Sequence, residues 1–139
     1  MTVRAVLQDA AARLEQPEKA VQAGELRSPY LEACLLLCHV LGINRAQLLA
    51  MQPDMLDAAS IQTFSGLIER RLGGESIAYI LGEREFYGRL FKVDRRVLVP
   101  RPETEHLVEA ALAFLEQKHE LAPERPLFVH DTCTGSGCI

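Results

Sequence analysis

The spacing of apolar residues changes once along this chain, near residue 81, and that change restricts the fold to a helical part followed by a mixed part. Before it, apolar side chains recur every three or four positions, the period of one helix face. Val3, Val6, Leu7, Ala10, Ala11 and Leu14 form the first such stripe, and Gln16-Pro17 ends or bends that helix. Ser28 caps a second helix, with Pro29 at the first helical position, where a missing N–H costs nothing. Residues 30–41 are apolar almost all round, as expected of a helix at the centre of a bundle, and Gly42 stops them. Asn44 caps a short helix with Leu48, Leu49 and Met51 inward, closed by Pro53. Asp57 opens another, with Ile61, Phe64, Leu67, Ile68 and Leu72 as its stripe, Arg70-Arg71 near its C-terminal end and Gly73-Gly74 beyond. A last short helix covers 76–81. Residues 1–81 thus read as a small all-α bundle with short connections.

After residue 81 the runs shorten. Segments 84–87 and 90–93 read as two strands around a tight turn at Gly88-Arg89. Val97-Leu-Val99 is a third extended piece, ended by Pro100. Pro102-Glu103 starts a helix with acidic residues in its first turn, favourable to the helix dipole, and with Leu107, Val108, Ala111, Leu112 and Leu115 as its stripe. A loop at 122–126 leads to an apolar strand, 127–131, and a glycine turn, 133–137, the way a nucleotide-type cofactor loop begins. The expected fold class is α+β: a helical bundle at 1–81, a β-hairpin linker at 82–100, and at 101–139 the incomplete start of a Rossmann-like domain. The last strand would be central in the full sheet. Its unpaired edges are expected to leave it disordered, packed on the hairpin or helix, or paired with another copy of the chain.

Charge narrows the partners. Fifteen Lys and Arg against nineteen Asp and Glu give a net charge of -4, which argues against a general nucleic-acid surface. No apolar run reaches the roughly 18 residues of a membrane span, and no secretory signal pattern opens the chain. Four cysteines without an export signal indicate reduced thiols in a cytoplasm. Their spacing, 34/38 and 133/138, is not C-x-x-C, which argues against zinc.

Two motifs stand in order: Glu85-Phe-Tyr-Gly88 with Pro100-Arg-Pro-Glu-Thr-Glu105, then Asp131-x-x-Thr-Gly-Ser-Gly137. Together they resemble the HemK/PrmC family, which methylates the glutamine side chain in the Gly-Gly-Gln motif of peptide chain release factors. The likeness runs from about Arg71 through Ala111 and resumes at Asp131; it is looser in the helices, through Ser28-Pro29 and Leu35-Leu-Leu-x-x-Val-Leu-Gly42. The resemblance implies that the bundle docks the release factor and that S-adenosylmethionine (SAM) lies over the glycine loop. It places Asp131, Cys133, Thr134, Gly135, Ser136 and Gly137 at the cofactor, with Phe86, Glu103 and Glu105 near it and Arg101 at the mouth of the substrate pocket. Cys133 departs from the family's usual glycine. A cysteine there also resembles the sister enzymes that methylate a glutamine of a ribosomal protein, although those do not usually carry Pro-Glu-Thr-Glu.

The family's Asn-Pro-Pro-Tyr motif, which grips the substrate amide, is not in these residues, and neither is the acid that holds the SAM ribose. A primary amide is a poor nucleophile and must be oriented against the methyl group. The 139-residue chain alone is therefore expected to be inactive. Plainer readings stand beside each assignment. Cys34 and Cys38 fit core packing, and His39 fits a partly buried polar position. Arg70 and Arg71 fit a solvated helix end as well as a partner contact. Phe86 and Tyr87 could be the packed side of a hairpin, and Glu103 and Glu105 ordinary first-turn acids. Two other functions compete: a binding module without catalysis, and a nicotinamide-dependent oxidoreductase, whose G-x-G-x-x-G turn residues 133–137 do not make.

Overall fold

A computed structural model describes residues 1–15 and 28–139. The Gln16-Pro17 break lies outside them. The described residues form two compact units, Met1–Leu81 and Gly82–Ile139.

The first unit holds five helices: α1 Val3–Leu14, α2 Pro29–Leu41, α3 Arg45–Ala50, α4 Ala58–Leu72 and α5 Ile77–Leu81. Each of the first four begins at a polar cap. Thr2, Ser28, Asn44 and Asp57 accept from the backbone N–H three residues on, which satisfies one orphan donor per helix. At α3 the cap is reciprocal: Gln47 N–H donates to Asn44 Oδ1 at 2.9 Å, and Asn44 N–H to Gln47 Oε1 at 2.9 Å. Without that box a helix of six residues would be marginal.

α2 is central, packing against α1, α3, α4 and α5. Leu7, Leu36, Leu37 and Ile68 are fully buried in one core with Val3, Phe64 and Ile80. Polar contacts tie elements distant in sequence. Arg71 on α4 grips Glu32 on α2 through two parallel bonds, 2.7 and 2.9 Å, and also donates to the Glu75 carbonyl at 3.1 Å. Arg70 pairs with Glu75 at 2.8 and 3.0 Å, and Arg13 with Glu69. Both arginines at the end of α4 are thus engaged within the unit. The N-terminus is anchored too, through Val3 N–H to the Asp54 carbonyl at 2.9 Å and Leu56 N–H to the Met1 carbonyl at 3.1 Å.

Two details differ from the sequence reading. Leu49 is 67% exposed while Leu48 is buried, because so short a helix turns only one face inward. His39, in the last turn of α2, is exposed rather than partly buried.

The second unit has a two-stranded antiparallel sheet, β1 Glu83–Phe86 and β2 Arg89–Lys92, then a 3₁₀ turn, Pro102–Thr104, and α6 Glu105–Leu121. The register pairs Phe86 with Arg89, so the turn is Tyr87-Gly88, one residue earlier than expected. Both turn residues have positive φ, 50° and 70°, as a two-residue turn matched to strand twist requires. Val97-Leu-Val99 forms no strand; Val97 N–H closes a turn onto the Asp94 carbonyl at 3.1 Å. Residues 127–131 form no strand either, and Phe128 is 90% exposed. A strand needs a neighbour for its N–H and C=O groups, and the described residues offer this segment none. Nor does α6 bury any residue. Among the described residues no helix is long and apolar enough to cross a membrane.

Candidate functional site

The residues that the resemblance places at the cofactor and the substrate pocket all lie in the second unit, and the structure brings only some of them together. Phe86 closes β1, is 1% exposed, and meets Phe91 edge to face, ring centres 6.3 Å apart at 77°. The next residue, Tyr87, sits at positive φ, which a bulky side chain rarely adopts. Its N–H donates to Glu105 Oε1 at 2.9 Å. The first residue of α6 therefore holds the hairpin tip, and Phe86 and Glu105 become parts of one arrangement. Glu105 Oε2 stays outside any hydrogen bond among the described residues. The sequence reading set Tyr87 in the first strand with a packing role, whereas it stands in the turn and its backbone N–H ties the hairpin to Glu105.

Pro100 is buried, and Arg101 follows in extended backbone, φ -94° and ψ 140°, with an exposed side chain. Flanking prolines set that direction. Glu103 is exposed within the 3₁₀ turn. Just upstream, Asp94 Oδ1 accepts from Arg96 N–H at 2.9 Å, and the Arg96 guanidinium adds further bonds. These bonds hold the Asp94 carboxyl well below the usual range, at about 2.

Among the described residues, no hydrogen bond or ion pair joins the 131–137 turn to Phe86, Arg101, Glu103 or Glu105. It is closed locally, by Gly137 N–H to the Thr134 carbonyl at 2.9 Å and Thr134 Oγ1–H to the Asp131 carbonyl at 3.3 Å. Asp131 contributes its backbone oxygen to this closure. Cys133, Gly135 and Gly137 have φ of 66°, 59° and 74°. A Cβ on Gly135 or Gly137 would meet nothing nearer than 3.7 Å, so backbone angle rather than crowding favours glycine there. Cys133 carries its Cβ in the same left-handed region at a strain cost. Ser136 is half-buried. The result is an exposed main-chain turn, the kind of surface against which a ligand can lie closely. Among the described residues no group of three or more His, Cys, Asp or Glu could hold a metal, and all four cysteines are free.

A family profile described as "PrmC N-terminal domain" matches residues 5–82. The chain belongs to the PrmC family. The match covers the helical unit, where the sequence motifs were looser, so PrmC membership does not depend on the glycine turn. Curated PrmC relatives extend the likeness into the second unit. A release factor glutamine methyltransferase of Nitratidesulfovibrio vulgaris is 43% identical over 138 residues, 99% of this chain and 42% of that protein. One of Neisseria gonorrhoeae is 46% identical over 116 residues, 84% of this chain and 40% of that protein. One of Bordetella pertussis is 47% identical over 111 residues, 80% of this chain and 39% of that protein. The chain spans about two fifths of the length of these relatives.

Proposed function

We propose that this chain is the N-terminal part of a cytoplasmic, SAM-dependent methyltransferase that modifies the glutamine side-chain amide in the Gly-Gly-Gln motif of peptide chain release factors. One observation carries the reading: identity of 43% to a release factor glutamine methyltransferase runs through 138 residues, across both units. In this reading residues 1–81 dock the release factor, 82–100 link, and 101–139 begin a Rossmann-like domain.

The exposed backbone at 133–137 supports the cofactor assignment, because three left-handed residues expose main chain that a methionine-like ligand can approach. When bound, SAM supplies a methyl group already activated on a sulfonium. This chain's residues then serve binding and position. Gly135 and Gly137 keep the approach open, with Asp131, Cys133, Thr134 and Ser136 framing the turn. Glu105 fixes the hairpin tip beside Phe86 and keeps Oε2 for a ligand. Glu103 adds a second carboxylate, and Arg101 offers a cationic arm to substrate. The groups that orient the amide are expected outside residues 1–139.

The test is to mix the purified 139-residue chain with a release factor and labelled SAM. Release factor binding without label transfer is the expected result. Label on the glutamine would sink the claim of inactivity, and absence of any binding would sink the docking role. Reading the gene past codon 139 adds an independent check, since a frame continuing into Asn-Pro-Pro-Tyr is expected.

A further inference from the structure

The helical unit contains a cavity of about 300 Å³ that touches none of the residues discussed above as the candidate site. Its walls come from α1, α2, α3 and the turn after α3. Buried Leu7 and Leu48 give it an apolar floor. Its rim carries Leu49 and Tyr30, 67% and 40% exposed. Gln52 Nε2 donates to the Tyr30 hydroxyl at 3.1 Å, and Gln52 Oε1 accepts from Arg4 Nε at 3.3 Å. Arg45, in the first turn of α3, brings a second guanidinium. Among the described residues the lining includes no Asp or Glu, although the chain as a whole has a net charge of -4.

We infer that this cavity is a docking site for a partner-protein segment that presents a bulky apolar side chain next to carboxylates. Three features carry the inference. The volume lies at the small end of ligand sites, suited to one large side chain rather than a dinucleotide. An exposed leucine and tyrosine beside arginines over an apolar floor have the make-up of an interface anchor point. The charge at the mouth has one sign, opposite to that of the chain, so it selects acidic segments and disfavours basic ones. Burial pushes the Cys34 thiol of the cavity wall up, which keeps it neutral and leaves packing as its role. The inference deepens the docking reading of the helical unit and rests on it only for the partner's identity.

The test uses NMR on the 139-residue chain, titrated with the blocked peptide acetyl-Leu-Glu-Glu-Leu-amide and, separately, its Lys-Lys counterpart. Shifts confined to Tyr30, Arg45, Leu48, Leu49 and Gln52 with the acidic peptide alone are expected. Arg45→Glu and Leu49→Gln, both at exposed positions, should each weaken binding about five- to tenfold while the far-ultraviolet spectrum stays unchanged. No shifts at millimolar peptide, equal shifts with both peptides, or shifts spread along α6 would overturn the proposal. A release factor, titrated against the same variants, separates the two readings. Binding insensitive to both substitutions overturns the cavity and leaves the docking role standing. Peptide binding without release factor binding supports the cavity and overturns that partner.

Discussion

Two amphipathic helices of similar length meet different fates in this chain. α4, 15 residues, buries Phe64 and Ile68 and packs on α1, α2 and α5. α6, 17 residues, carries an equally legible stripe and buries nothing; Leu107, Leu112 and Phe114 all stand exposed. An apolar stripe tells which face seeks cover. It does not tell whether the cover lies within the same residues. In Met1–Leu81 the stripes cover one another. In Gly82–Ile139, Leu107 and Leu112 of the α6 stripe and the extended residues Leu127, Phe128 and Val129 stay open to solvent. Stability should therefore reside in the helical unit.

The sharpest way to break this contrast is a pair of truncations. Leu36→Ala removes a fully buried side chain and should cost about 2–5 kcal/mol in urea unfolding followed by circular dichroism. Leu112→Ala, in the open stripe, should cost less than about 0.5 kcal/mol. Comparable losses would mean that α6 is covered in solution. If the loss at Leu112 also grew with protein concentration, a second copy would be the cover.

A smaller effect is expected where the helical unit joins distant segments by charge. Glu32→Ala removes both bonds to Arg71 at a nearly buried position and should cost about 1.5–3 kcal/mol. A loss well below 1 kcal/mol would make the pair an ordinary surface contact. Below that in size comes Asn44→Ala. It opens the reciprocal cap of α3 and should cost about 1 kcal/mol, with faster amide exchange at Gln47 as its local signature. Unchanged exchange at Gln47 would argue that packing of Leu48 alone holds α3.

These sizes also show what the sequence could reveal. Helix boundaries were legible because caps are local: Ser28-Pro29, Asn44 and Asp57 announce themselves within three residues. Core positions Leu7, Phe64 and Ile68 followed from period, whereas residues 30–41, apolar almost all round, gave no period from which to pick out Leu36. Leu49 did not follow either, because a helix of six residues gives the period too little length to separate inward from rim. The turn was placed one residue late because Tyr at positive φ runs against propensity and depends on Glu105, 18 positions away. Residues 127–131 have the β-branched and apolar composition of a strand former, but a strand exists only with a neighbour, which these residues were not expected to supply. Of the candidate site, the glycine turn's conformation was readable. The link between Glu105 and the hairpin tip was not, since nothing in either motif names the other.

The finest test concerns the range of the contacts. Side-chain bonds in the helical unit reach far along the chain, 39 positions for Arg71 and Glu32 and 56 for Arg13 and Glu69. The pair that shifts titration most in the second unit, Asp94 and Arg96, is two positions apart and exposed. Its carboxyl is lowered from 3.8 to about 2 in the folded chain, chiefly by the side-chain bonds from Arg96. A depressed folded value means the contribution is present above pH 3.8 and is lost as pH falls through about 2. So local a contact should survive even where tertiary packing is sparse. Carboxyl carbon NMR should find the Asp94 midpoint near 2, moving toward 3.8 in Arg96→Gln and in high salt. A wild-type midpoint at 3.8 would show that the turn is not held in solution.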